Sequence, residues 1–303
     1  MLEFKKSKSF LDSIIMLFIS RIEITFAVTW TGAIGCVMAS RGLPPARPTL
    51  IALATSLFLS LAVYLYNDVI DRDMDAASAN PRKQERPIAM GRVPVSHAMI
   101  FIYILGALGL FTAYLISWLA FGMSSVFLVL LTMYSFPQIR LKKQFVMKSL
   151  VTSITPSWSL IIGGLAVSGN ITLPMVFVAV IEYVFVFLNL PGMADSFDLK
   201  EDKEFGMKTM AMILSWKQKI QMMMMIAVII YFGATMLFYE YLGFNLIVPI
   251  TVTLFSVGLL NQLRKMPEAF DNESMTKARK FAYAYYVLMP LFMAIGSLSL
   301  PFF

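Results

Sequence analysis

One cysteine, one histidine and few charges are the first things this 303-residue chain shows. Cys36 alone excludes a disulfide framework, and a lone cysteine in an apolar chain is ordinarily a packing residue. His97 alone excludes histidine-rich metal centres and Ser-His-Asp catalysis, and its position suits a polar residue at a loop-to-helix junction. Asp, Glu, Lys and Arg together make up only 14% of the chain, against 58% hydrophobic residues and a mean hydropathy of +0.74. An ordinary soluble domain is only ~45–50% apolar. The class is therefore a polytopic, all-α membrane protein, since long apolar runs are satisfied in lipid as helices. No linker or low-complexity segment divides it, so residues 1–303 read as one membrane domain.

Apolar runs at about 24–40, 49–66, 97–118, 121–137, 149–168, 172–190, 212–239, 242–262 and 281–300 predict nine transmembrane helices, with 11–20 leading into the first. Lys5, Lys6 and Lys8 precede an apolar stretch, but no small-residue cleavage site follows, so no signal-peptide cleavage is expected. Of the 25 Lys and Arg, only Arg21, Arg41 and Arg47 lie outside the N-terminus and the even-to-odd helix loops. The positive-inside rule then predicts a cytoplasmic N-terminus and an external C-terminus. The +7 net charge follows from that topology and is not a nucleic-acid signal.

Acidic residues are scarce and concentrated. Nine Asp occur in all, and six stand in two sets of one spacing: Asp68, Asp71 and Asp75, then Asp195, Asp198 and Asp202. Residues three and four apart share a helix face, where like charges repel unless a cation joins them. Two such sets facing one another suit a hard divalent cation, Mg²⁺ foremost, which also accepts phosphate oxygens. Asp73 falls on the opposite side of the first helix and is expected to be dispensable. The repeated spacing, with helices 2 and 6 both ending at an Asp set, predicts two related halves with Asp-rich loops on the cytoplasmic side. Basic residues beside both sets, among them Arg82, Lys83, Arg86 and Lys208, complete the description of a diphosphate site.

Glu182 lies inside the sixth apolar run, at a depth where even an Asp costs ~2.5–3.5 kcal/mol on insertion scales. Asn189 is seven residues on and shares its face. Both are expected to point into a cavity, with Asn189 near the second Asp set, and Tyr134 and Tyr183 are candidate cavity walls.

Asn67-Asp68-x-x-Asp71-x-x-x-Asp75, followed by Asn80 and Arg86-Pro87-Ile88-x-x-Gly91, resembles the first signature of the UbiA-type intramembrane prenyltransferases. Asp195-x-x-Asp198-x-x-x-Asp202 with Gly206-x-Lys208-Thr209 resembles the second. Tyr134-Ser-x-Pro137 leading to Leu141-Lys142-Lys143 is similar to the branch that includes chlorophyll synthases and the ether-lipid enzymes. Where many members carry a lysine four residues after the tyrosine, this chain has Gln138, which leaves Lys142 and Lys143 as alternatives for that role.

The resemblance implies Mg²⁺-dependent transfer of a polyprenyl chain, geranylgeranyl being favoured, from its diphosphate to a lipophilic acceptor in the bilayer. It implies metal ligation by Asn67, Asp68, Asp71, Asp195 and Asp202, with Asp75 and Asp198 completing the two faces. It makes Arg21, Asn67, Arg72, Arg86, Tyr134, Lys142 and Lys143 the diphosphate-binding candidates. Asp68, Asp71, Asp195 and Asp202 become the catalytic set, and Glu182, Tyr183 and Asn189 belong to the acceptor cavity. The acceptor stays open between geranylgeranylglyceryl phosphate and an aromatic or tetrapyrrole ring. A prenyl diphosphate hydrolase or lyase uses the same ionisation without an acceptor. A transporter would also carry intramembrane acids, but near the midplane rather than at helix ends.

Overall fold

The computed structural model describes residues 9–78, 81–193 and 195–298, with the side chains of Pro81, Arg82, Glu201, Phe238 and Glu240 left out. Among the described residues there are helices and connecting turns and no strand. Nine helices are long: α1 Phe10–Ser40, α2 Ala46–Ile70, α3 Val95–Ile116, α4 Trp118–Ser135, α5 Met147–Ser168, α6 Leu173–Met193, α7 Trp216–Phe232, α8 Ile247–Arg264 and α9 Asn272–Gly296. Seven of the helical segments, all but α1 and α9, are long and apolar enough to cross a membrane. Outward faces carry Ile104, Leu108, Phe111, Val126 and Val129, all exposed, as lipid contact demands.

α1, α2 and α5 meet at the centre. In lipid, helix pairs associate through close packing and interhelical hydrogen bonds rather than through the hydrophobic effect. Here Gly32 and Gly35 on α1 face Gly163 and Leu160 on α5 so closely that an added Cβ at Gly35 or Gly163 would run into the opposite backbone carbonyl. Hydroxyls close the seam. Ser159 donates to the Val28 carbonyl at 2.7 Å and shares a 2.8 Å hydrogen bond with the Ser56 hydroxyl of α2, and Thr31 lies 3.2 Å from the Pro156 carbonyl. Cys36 is buried in the same seam with its thiol on the Gly163 carbonyl, at 3.3 Å. His97, near the start of α3, shares a 2.9 Å hydrogen bond with Ser13 and meets Phe10 edge-on. Both residues are structural.

Three elements depart from the sequence expectation. α1 runs unbroken from its Ser9–Asp12 capping box, so 11–20 belongs to the same helix as 24–40. The seventh apolar run is divided: a short helix Met210–Ile213 ends before Ser215, which caps α7 in a second capping box, and α7 passes into a π-helical stretch, Gly233–Phe238. Gly233 sits where a Cβ would meet the Phe177 ring, which places the π stretch against α6. The last helix begins at Asn272, well before 281, because Asp271 caps it by accepting from the Ser274 amide at 2.8 Å.

Candidate active site

Both Asp sets emerge at the same end of the bundle. α2 stops at Ile70, Asp71 takes φ −94° and ψ 5°, and a separate short helix, Arg72–Ala77, carries Asp75. The chain turns there without losing the one-turn spacing: Asp71 donates its amide to the Asn67 carbonyl at 2.9 Å, and Asp75 donates to Asp71 at 2.8 Å. The second set likewise spans a turn after α6 and the short helix Leu199–Glu204. Its amides step from Asp198 to the Asp195 carbonyl at 3.2 Å and from Asp202 to the Asp198 carbonyl at 2.7 Å. Neither triad lies on one continuous helix. Chain breaks let each set leave the apolar layer, where six acids on unbroken helices would be costly.

Asp68, Asp71, Asp75, Asp195 and Asp202 are all buried, so each needs a charged or hydrogen-bonding partner. Each has one. Arg21 grips Asp68 with two nitrogens, Nε lying 2.7 Å from Oδ2. Arg86 reaches Asp68 at 3.1 Å and also Asp75. Arg140 contacts Asp71 at 3.2 Å, and Lys142 joins Asp71 to the Asn67 side-chain carbonyl, 3.1 Å away. Ser135 donates to that same Asn67 oxygen at 2.7 Å. At the second set, Lys148 bridges Asp195 at 2.9 Å and Asp202 at 3.1 Å. Lys83, from the segment after the first set, pairs with Asp198 at 3.1 Å. The Lys208 amide donates to the Lys143 carbonyl at 3.1 Å, which ties the loop after α4 to the loop after α6.

The electrostatic balance follows from burial. Desolvation pushes Asp75, Asp195 and Asp202 above the ordinary carboxylate range, opposed by Arg86 at Asp75 and by Lys148 at the other two. Lys142 is drawn below the ordinary lysine range by burial, opposed by Asp71.

The structure gathers Asp68, Asp71, Asp75, Asn67, Arg21, Arg86 and Lys142 at the first set and Asp195, Asp198 and Asp202 at the second. Tyr134 lies beside them, with the Lys142 ammonium 5.9 Å from its ring centroid. Arg72 is not among them. It is half exposed and pairs at 3.3 Å with its neighbour Asp73, itself 92% exposed, because one residue past Asp71 the side chain has turned from the shared face to water. Lys143 offers its backbone carbonyl rather than an ion pair. Asn80 and the Arg82 side chain lie outside the described residues, as do Lys5, Lys6 and Lys8.

The cavity candidates separate. Glu182 is buried, its Oε2 has no hydrogen-bond partner, and the Tyr285 and Tyr286 phenols lie within its electrostatic reach. Asn189 turns its amide back onto the Phe185 carbonyl of its own helix at 2.8 Å, so it is not joined to the Asp set. Tyr183 is half-buried and stacks on Phe187 at 6.3 Å.

Lys148 carries pairs that the sequence reading did not single out. For Lys148 a signal existed. It is the second residue of α5, and a cation in a first turn opposes the helix dipole unless acids face it.

A model of the UbiA prenyltransferase family matches residues 28–299. The chain belongs to that family. Digeranylgeranylglyceryl phosphate synthase of Sulfolobus acidocaldarius is 30% identical over 243 residues, 78% of this chain and 81% of that protein. The enzyme of the same name from Sulfurisphaera tokodaii is 25% identical, covering 88% and 91%. Among solved structures, one of a digeranylgeranylglyceryl phosphate synthase superposes with a TM-score of 0.75 at 17% identity, covering 95% of this chain and 100% of that one. A UbiA homologue from Archaeoglobus fulgidus bound to GPP and Mg²⁺ gives a TM-score of 0.68 at 13% identity, covering 92% and 99%. The fold is thus that of the UbiA homologues, and the chain is an integral-membrane prenyltransferase.

Among the described residues no three carboxylates close on one metal position, yet the donors gathered here are hard oxygens, the type a divalent cation takes. Asn67 and Asp71 already hold the Lys142 ammonium between an amide and a carboxylate oxygen, and Asp195 keeps a buried Oδ2 without a partner. Hard oxygen donors of this kind select Mg²⁺-type ions over softer metals.

Proposed function

We propose that this prenyltransferase moves a geranylgeranyl-class chain from its diphosphate to the free hydroxyl of a lipid-borne acceptor, geranylgeranylglyceryl phosphate before any ring compound. The observation that carries this is the convergence of six aspartates and six cationic side chains at one end of a membrane bundle. The match to two digeranylgeranylglyceryl phosphate synthases over most of both chains favours that acceptor. Asn67, Asp68, Asp71 and Asp75 on one side and Asp195, Asp198 and Asp202 on the other would hold Mg²⁺. Bound there, the ion supplies Lewis-acid stabilisation of the charge on the departing diphosphate.

Arg21, Arg86, Arg140 and Lys142 then share the diphosphate oxygens, which favours heterolysis of the allylic C1–O bond. The bond pair leaves with the diphosphate. The acceptor hydroxyl oxygen forms the new C–O bond to C1, and its proton is released. Apolar and aromatic walls keep water from C1, and the Tyr134 ring lies near the site where positive charge develops. Glu182, buried in α6 with its Oε2 unpartnered, is assigned in this reading to the acceptor end of the site. The concentration of Lys and Arg on the side of the Asp-rich loops supports a site that faces the cytoplasm, with the N-terminus on that side.

The test is transfer of radiolabelled geranylgeranyl diphosphate by purified protein in detergent, across a panel of acceptors. Transfer that needs acceptor and Mg²⁺, and is lost with EDTA and in Asp68→Ala and Asp202→Ala, establishes the reading and names the acceptor. Diphosphate release without any acceptor points instead to a hydrolase or lyase. A folded protein that consumes no prenyl diphosphate sinks the proposal.

A further inference from the structure

Among the described residues, every aspartate of both sets is matched by an internal cation. Asp68, Asp71 and Asp75 face Arg21, Arg86, Arg140 and Lys142, while Asp195, Asp198 and Asp202 face Lys148 and Lys83. A divalent ion arriving alone therefore meets carboxylates whose charge is already satisfied, and it is repelled by the side chains satisfying them. A diphosphate arriving alone meets cations already engaged with carboxylates. Together the two ligands supply the opposite charge that each group gives up.

The exchange is easiest where the internal partner is a lysine. A guanidinium fork is pre-organised for two parallel bonds, whereas an ammonium is a point charge on a flexible stem with three rotatable donors. Arg21 holds Asp68 in the first manner. Lys148 holds Asp195 and Asp202 in the second, at 2.9 and 3.1 Å, and beside it Asp195 Oδ2 stays buried and unpartnered. That oxygen is a ligand position the ammonium leaves unused. The Lys148 backbone is fixed at the start of α5, so its side chain can swing without moving the helix.

We propose that Lys148 is a diphosphate-binding residue that clamps Asp195 to Asp202 in the free enzyme. It releases them to the metal only as its ammonium passes to the diphosphate. Metal and diphosphate consequently bind as one unit, each tightening the other. The proposal rests on the prenyl-transfer reading, and it adds a residue and an order of events to it.

The experiment is Mn²⁺ binding, read from the electron paramagnetic resonance signal of the free ion. It is run on full-length protein with and without the thiolo-diphosphate analogue of geranylgeranyl diphosphate, which resists ionisation. Wild type should bind Mn²⁺ weakly alone and ~30-fold more tightly with the analogue, within the range usual for coupled ligands, and Mn²⁺ should tighten the analogue by the same factor. Lys148→Met should bind Mn²⁺ alone more tightly than wild type and lose most of the coupling. Lys148→Arg, which keeps the charge but forks its donors, should bind Mn²⁺ alone no more tightly than wild type and show part of the wild-type coupling, which separates an effect on exchange from a loss of fold. Wild type that binds Mn²⁺ equally with and without the analogue overturns the proposal and leaves the transferase standing. So does Lys148→Met with unchanged affinity and coupling. Wild type that binds no Mn²⁺ even with the analogue sinks the metal-dependent reading and the proposal together.

Discussion

The two aspartate sets share a spacing and differ in what holds them. The first is gripped mainly by arginines from three separate segments: Arg21 on α1, Arg86 beyond the short helix Arg72–Ala77, and Arg140 after α4. The second is held by lysines, Lys148 and Lys83. Forked guanidinium pairs fix geometry, whereas ammonium pairs give way to a competing ion. In the reading proposed above, one spacing serves two ends of the site: a fixed face that positions the diphosphate, and an exchangeable face that admits the metal with it.

The largest effects should come from breaking either face outright. Asp68→Ala and Asp202→Ala should each lower kcat/KM for prenyl transfer by ~10²–10³-fold, the range for removing a group that stabilises developing charge. Swapping cation types probes the contrast itself. Arg21→Lys should cost ~10–100-fold in turnover, as loss of a positioning partner at a metal site does, while Lys148→Arg should cost under tenfold. Equal penalties for the two would erase the distinction between the faces.

The pH profile tests both faces at once. Asp75, Asp195 and Asp202 must be ionised to act, and burial holds their pKa values above the ordinary aspartate range, so the acid limb of kcat/KM should fall at a pH above ~3.9. Lys142 must be protonated, and burial lowers it, so the alkaline limb should fall below ~10.4. A profile flat from pH 4 to 10 would contradict both shifts. Glu182→Gln should raise the acceptor KM a few-fold and leave the donor KM unchanged; if neither changes, Glu182 has no acceptor role. The smallest effect belongs to Arg72→Ala, under twofold in turnover, since among the described residues it pairs with exposed Asp73 and with no member of either set.

Much of this site was legible in the sequence, for a physical reason. Acids at the edge of apolar runs are costly, so Asp68 and Asp195 stand out, and their repeated spacing marks them as a pair of sets. Individual basic residues do not stand out, because the positive-inside bias already accounts for a crowd of them on that side. Lys148 was hidden in that crowd, and Arg72 was drawn into it although its side chain faces water. The break at Asp71 was equally silent, since no proline or glycine marks it and burial of the carboxylates, not local propensity, decides where α2 stops. Long apolar helices were readable throughout, except where Ser215 caps α7 and where Gly233 lets the chain widen to a π-helical stretch against Phe177.

The glycine seam between α1 and α5 has a bearing on all of this. α1 carries Arg21 and α5 carries Lys148, one cation for each aspartate set, and the distance between these helices is set where Gly32 and Gly35 meet Gly163 and Leu160. A single methyl group at position 35 or 163 would wedge the helices apart and widen the gap between two charges that lie turns away, without altering one polar atom. The jaws of the site are calibrated by a hinge pin of bare backbone buried in the middle of the bundle.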